Sequence, residues 1–231
     1  IISPWNFPIA IPAWKAAPAM MCGNAVILKP ASLTIGSAVA LTEIISKQDI
    51  PKGLFNLVLG SGSDIGHKIA VHPEIAAISF TGSVQTGRQL YKDASSTMKK
   101  MQMEMGSKNP LIVMDDADLK TAITCAVNGA YGGTGQKCTA SSRLIVHENI
   151  YKKFIDGLME NIKNLKVGHA LDEGTQMGPV SSQSQFESNL KYVDIGKGEA
   201  KLAFGGSPMN MRTPGYYMAV SYTHLTLPTN A

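Results

Sequence analysis

Short apolar runs alternate with longer stretches of helical spacing along the first hundred or so residues. Residues 25–28, 54–59 and 75–80 read as strands, and residues 35–47, 63–71 and 85–95 as the helices between them. Runs apolar enough to be buried on both faces, separated by helices, predict parallel βαβ units with right-handed crossovers, and so an α/β fold. The pattern changes after Met98. Residues 98–105 and 111–114 read as strands, and Asp116-Ala117-Asp118-Leu119 opens a helix to about Tyr131, with its acids where the helix dipole favours them. Residues 143–146 form a further strand and 150–165 an amphipathic helix, followed by a turn-rich segment over 168–178. A domain boundary is expected near Gly106.

Composition narrows the class. The chain has 231 residues, 44% of them hydrophobic and 16% charged, enough apolar material for a sizeable core. A net charge of +4, with scattered lysines, argues against a nucleic-acid partner. The three cysteines, Cys22, Cys125 and Cys138, form no CxxC pair and no zinc ligand set, and their sparse use suits a reducing, cytoplasmic setting. No apolar run is long enough for a membrane-spanning helix, and the start at Ile1 carries neither a Met nor a leader pattern, as expected for the middle of a longer protein.

Chemistry concentrates in a few segments. Cys138 follows Gly132-Gly133-Thr134-Gly135-Gln136-Lys137, downstream of Glu104 in Met103-Glu104-Met105-Gly106. A cysteine after a glycine-rich turn, with a glutamate upstream, suggests a thiol nucleophile and a carboxylate base; a small buried thiol is the bland alternative. With the boundary near Gly106, the two groups would lie across an interdomain cleft. Pro4-Trp5-Asn6-Phe7-Pro8 fixes an asparagine between two prolines, as an oxyanion donor or as a structural loop amide. Gly60-Ser61-Gly62-Ser63-Asp64-Ile65-Gly66 approximates a dinucleotide fingerprint with displaced glycine spacing. Phe80-Thr81-Gly82-Ser83 offers either a phosphate-binding helix N-terminus or an ordinary cap. The five histidines fall in no catalytic pattern.

Taken in order, Pro4–Pro8, Leu28-Lys29-Pro30-Ala31, Phe80–Ser83, Met103-Glu104-Met105-Gly106-Ser107-Lys108-Asn109-Pro110 and Gly135–Cys138 resemble the motifs of the aldehyde dehydrogenase superfamily, from Ile1 to about Ala219. That resemblance implies a Rossmann-like cofactor domain over residues 1–105 and part of a catalytic thiol domain over 106–219. It implies Cys138 as nucleophile, Asn6 and the Cys138 N–H as oxyanion donors, and Glu104 as the base that hydrolyses a thioester. It assigns Lys29, Ser32, Gly82, Ser83, Trp5 and Met105 to an NAD or NADP site. It also implies a small aldehyde substrate, a homo-oligomeric parent, no metal and no membrane partner.

The stretch from Gly135 to Arg143 looks most like the branch that oxidises α-ketoglutaric semialdehyde (2,5-dioxopentanoate), with succinate-semialdehyde-type enzymes close behind. Two readings stand beside this one: a cofactor-free thiol hydrolase or acyltransferase, which needs a histidine at Cys138, and an inactive truncated fragment. The family's N-terminal and C-terminal portions, roughly half of a usual chain, are expected to be missing. Residues 220–231 read as a non-family tail of artefactual origin.

Two positions depart from the family pattern. Ser107 replaces a glycine. Ser32 stands where NAD-preferring members carry a glutamate on the ribose hydroxyls, so repulsion against a 2′-phosphate is absent and NADP use is expected. Ser32→Glu should shift the kcat/KM ratio toward NAD; steady-state kinetics with both cofactors and an unchanged ratio would place discrimination elsewhere.

Overall fold

The computed structural model describes residues 1–220 and the backbone of Tyr222–His224. The chain divides into two compact units, the first Ile1–Gly106 and the second from Ser107 onward.

The first unit runs α1 (Ala10–Met21), β1 (Val26–Leu28), α2 (Ile35–Ser46), β2 (Phe55–Leu57), α3 (Gly62–Val71), β3 (Ala77–Gly82), α4 (Val84–Ala94) and β4 (Lys100–Met105). β1 pairs with β2 and β3 with β4, both in parallel. Between the two pairs lies the chain at Ile2, which bridges in parallel to Lys29 on one side and Phe80 on the other. The Ile2 N–H donates to Ser79 O at 3.0 Å and the Thr81 N–H donates back to Ile2 O at 2.9 Å. On the opposite side the Ser3 N–H donates to Lys29 O at 3.1 Å and the Lys29 N–H to Ile1 O at 2.8 Å. Residues 1–3 therefore act as the central strand.

The core of this unit forms where the period-2 pattern of β3 and β4 meets α3 and α4. Ile78 and Phe80 from β3, with Met101, Met103 and Met105 from β4, face Ile69, Ala70, Leu90 and Ala94. Gly87 makes the approach of α4 close: a Cβ there would stand 2.7 Å from Met105 Sδ and 3.2 Å from Phe80 Cε1. Both helices start on serine caps, Ser61 accepting the Asp64 N–H and Ser83 accepting the Thr86 N–H.

The second unit contains β5 (Asn109–Val113), α5 (Leu119–Tyr131), β6 (Ser141–Val146), α6 (Glu148–Lys163), α7 (Gln183–Glu199), β7 (Lys201–Phe204) and β8 (Tyr222–His224). β5 and β6 are parallel; β7 and β8 are antiparallel. Asp118, not Asp116, caps α5 by accepting the Thr121 N–H, and these Thr121 hydrogen bonds hold its carboxyl below the usual carboxylate range. Phe154, Leu158 and Ile162 of the amphipathic α6 bury against Val113, Ala126, Met177 and Val220.

Four elements, α1, α7, β7 and β8, escaped the sequence pattern. α1 contains prolines at positions 12 and 18, a composition that hides a helix. α7 buries no residue fully, so it lacks the apolar stripe that periodicity detects. β7 is short and its partner β8 is distant in sequence. Strand limits moved too: Met98 adopts φ 51 and β4 begins at Lys100. The expectation of strands buried on both faces fails within each unit. Ile112 and its register partner Ile145 are exposed, while Val113 and Val146 face the core. Of the expected foreign tail, Val220 is buried and Tyr222–His224 pair with β7; residues 221 and 225–231 lie outside the described residues.

Leu158, 1% exposed, and Ile112, 60% exposed, should respond differently to truncation. Leu158→Ala should cost about 2–5 kcal/mol in urea denaturation, and Ile112→Ala no more than about 0.5 kcal/mol. Equal losses would mean that the second unit's core has been misplaced.

Candidate active site

In a parallel sheet every strand ends at the same edge, and ligands collect there, most readily where the strand order reverses. The first unit meets that condition at residues 1–3, with β1 and β2 on one side and β3 and β4 on the other. The chain leaves this central position into Pro4-Trp5-Asn6-Phe7-Pro8, so half-buried Asn6 and Trp5 emerge at the reversal point. Lys29 follows β1, Gly82 closes β3 with Ser83 after it, and Glu104 and Met105 end β4 opposite Thr81 and Gly82. Ser32 lies a few residues beyond Lys29, exposed, in the single turn Ser32–Thr34 that leads into α2. Asn6, Lys29, Ser83 and Glu104 thus share one carboxyl edge.

β4 sorts its own side chains. Met101, Met103 and Met105 enter the core, so Gln102 and Glu104 must lie on the other face. Met105 therefore packs its side chain inward, beside Gly87. On the outer face the Gln102 amide Nε2–H donates to Glu104 Oε1 at 3.1 Å. Gln102 Oε1 accepts from the Lys15 ammonium at 2.7 Å and also from the Ser79 hydroxyl. The Lys15 ammonium donates to Ser79 Oγ at 2.7 Å as well. Burial lowers the Lys15 pKa, and the negative charge of Glu104 opposes that shift. Sequence reading missed Lys15 and Gln102. Lys15 lies on the undetected α1, and only the strand register brings Gln102 beside Ser79.

Several features of this edge suit a dinucleotide. Ser83 caps the eleven-residue α4, whose N-terminus follows directly on the end of β3, and Gly82 before it carries no side chain. Lys29 is 5% exposed, and among the described residues its ammonium meets one acceptor, Pro30 O at 2.9 Å. An ammonium has three donors, so this one retains capacity for ligand hydroxyls. Its burial depresses its pKa from the ordinary 10.5. Among the described residues no cluster of side chains could hold a metal ion, and no helix is long and apolar enough to cross a membrane.

The second unit carries the thiol. After α5 the chain turns through Gly133, Thr134 and Gly135, at φ 63, 60 and 67, three successive left-handed residues. At Gly135 a Cβ would lie 2.6 Å from Ala130 O, so glycine is required there. Thr134 is held by donating its hydroxyl to Gly178 O at 3.2 Å, and Gln136 Oε1 accepts the Ser181 N–H at 3.1 Å. A second turn, closed by the Ala140 N–H on Lys137 O at 3.1 Å, puts Cys138 at its first central position. Cys138 is exposed, which removes the buried-thiol alternative. Among the described residues no backbone acceptor takes the Cys138 N–H. The two histidines of this unit with described side chains are engaged locally: the His147 and His169 rings accept the N–H groups of Asn149 and Leu171.

An α/β protein with polar and charged side chains gathered at the carboxyl edge of a parallel sheet, and an exposed thiol on a tight turn, is the class these units define. The chain belongs to the aldehyde dehydrogenase family, whose model matches residues 1–221. It is 43% identical to an alpha-ketoglutaric semialdehyde dehydrogenase of Bacillus subtilis, over 94% of this chain and 45% of the relative. It is 47% identical to a betaine aldehyde dehydrogenase of Brucella ovis, over 89% of this chain and 42% of that one. The crystal structure of a Staphylococcus aureus betaine aldehyde dehydrogenase in complex with NAD+ superimposes with a TM-score of 0.92 at 36% identity, over 95% of this chain and 44% of that chain. The chain thus spans a little under half the length of the relatives it matches.

Lys29 should trade stability for binding. Its lowered pKa means that the folded state penalises the charged form. That penalty is fully present at neutral pH and vanishes as pH rises past the ordinary 10.5. Lys29→Met should raise Tm at pH 7 by about 2–4 °C per kcal/mol relieved, with the gain shrinking toward pH 10.5. A fall in Tm at pH 7 would show that the buried ammonium is compensated.

Proposed function

We propose that this chain carries the cofactor edge and the nucleophile of an enzyme that oxidises an aldehyde to a carboxylic acid with NAD or NADP. Two built features, one in each unit, carry this reading: an exposed Cys138 on a glycine-required turn in the second, and a carboxyl edge bearing Asn6, Lys29, Ser83 and Glu104 in the first. Residues 1–105 serve as the cofactor domain and 106–219 as part of the catalytic domain.

The Cys138 thiolate attacks the aldehyde carbon and forms a C–S bond; the carbonyl π electrons move to oxygen. The Asn6 amide and the Cys138 N–H donate to that oxyanion. The chemistry supplied by a bound NAD or NADP is acceptance of the hydride leaving that carbon. A thioester on Cys138 remains. Glu104 removes a proton from water as it attacks, and the acid departs with regeneration of the thiolate. Lys29 binds the adenosine ribose, with Ser32 adjoining it. Gly82 and Ser83 receive the pyrophosphate at the α4 N-terminus, and Trp5 and Met105 line the cofactor path, Met105 through its main chain.

α-Ketoglutaric semialdehyde is the favoured substrate, supported by the relatives of that name in Bacillus subtilis and Saccharolobus solfataricus. Betaine aldehyde is a second reading, supported by the Brucella relatives at 47% identity. The enzyme acts as a cytoplasmic homo-oligomer.

The two proposed chemical roles separate kinetically. In the enzyme containing this chain, Cys138→Ala should abolish NAD(P)H formation. Glu104→Gln should keep the first-turnover burst and lower the steady rate by about 10²–10⁴-fold. Stopped-flow absorbance checks both, and near-normal kcat in Cys138→Ala would refute the nucleophile assignment.

A further inference from the structure

We propose that Asn109 is a positioning residue for the nucleophile: its side-chain amide locks the turn on which Cys138 sits. The inference rests on the assignment of Cys138 above and adds a residue outside the reacting groups.

Asn109 opens β5, at the point where the β5–β6 register shifts. Its Nδ2 donates to Cys138 O at 2.8 Å and to Ala140 O at 3.1 Å. Two carbonyl acceptors at one end of the amide demand its NH2 group there, so the orientation of the side chain is determined by chemistry. The backbone carrying it is held as well. Arg143 donates from Nε and Nη2 to Lys108 O at 3.1 and 2.7 Å, and Pro110 confines Asn109 to extended geometry.

The consequence follows from what a β-turn leaves free. The turn Lys137–Ala140 is closed by one hydrogen bond across its ends, and its central peptide, Cys138–Thr139, can stand in either of two orientations that distinguish the common turn types. The bond from Asn109 to Cys138 O selects one of them. The second bond, to Ala140 O, ties the exit of the turn to the same amide. Cys138 is exposed and gains little from packing, so this clamp and the left-handed entry at 133–135 are what hold its Sγ and N–H in one arrangement. A thiol attack that also uses the Cys138 N–H as oxyanion donor needs both in register, and a displacement of about 1 Å can cost on the order of 10²-fold.

Asn109→Asp keeps the shape but replaces the donor by an acceptor facing two carbonyl oxygens; Asn109→Ala only removes it. A space-filling role predicts that Asp resembles Asn, whereas a donor role predicts that Asp is worse than Ala. In the enzyme containing this chain, Asn109→Asp should slow the NAD(P)H burst itself by about 10²-fold and Asn109→Ala by less, with cofactor KM unchanged. Glu104→Gln slows only the later phase. In this chain alone, iodoacetamide labelling read by peptide mass spectrometry should slow at Cys138 in Asn109→Asp, because a carboxylate there opposes negative charge on sulfur. Labelling at exposed Cys22 and Cys125 should not change.

If thermal unfolding shows that Asn109→Asp does not fold, Asn109→Ala decides: a slowed burst supports the clamp. A wild-type burst with wild-type Cys138 labelling in the folded variant overturns it. If Cys138→Ala keeps its turnover, the nucleophile assignment fails, and the labelling arm alone tests Asn109.

Discussion

The first unit depends on the backbone of three residues. Without the ladder through Ile1-Ile2-Ser3, β1–β2 and β3–β4 are two separate pairs of strands, each with an unpaired inner edge. With it they form one parallel arrangement whose order reverses about Ile2. The reversal brings the Asn6 loop between the ends of β1 and β3, where Lys29 and Ser83 also emerge. Ile2 itself is buried in the core formed with Ile78 and Phe80, so the same residue supplies both sheet hydrogen bonds and packing.

Alternation along β4 then separates stability from chemistry. Three methionines fill the space under α4, which comes close because position 87 has no Cβ. The intervening Gln102 and Glu104 are left on the face reached by Lys15 of α1, and a half-buried ammonium, an amide and a carboxylate form one hydrogen-bonded row. Lys29 makes a different compromise: a charged group held in an interior with, among the described residues, one acceptor weakens the fold and leaves ammonium donors uncommitted. In the second unit the thiol is presented by backbone geometry instead of burial, through consecutive left-handed residues and side-chain bonds to neighbouring carbonyls.

Much of this was legible in the sequence because the signals are local. The α/β alternation, six of the eight strands among the described residues and the helices over 35–46, 62–71, 84–94, 119–131 and 148–163 follow from apolar periodicity and caps. The ordered motifs around Asn6, Lys29, Ser83, Glu104 and Cys138 identified the family. Each motif combines a residue with special backbone freedom and one with special chemistry, and such pairs leave a trace in a single chain. Tertiary structure alone decided the rest. Helix 10–21 was hidden by its prolines and helix 183–199 by its lack of an apolar stripe. The central position of Ile2, the row from Lys15 through Gln102 to Glu104, and the amide of Asn109 on Cys138 O depend on strand register and on contacts between residues far apart in sequence. Periodicity says which face a side chain takes; only the pairing of strands says what it meets there.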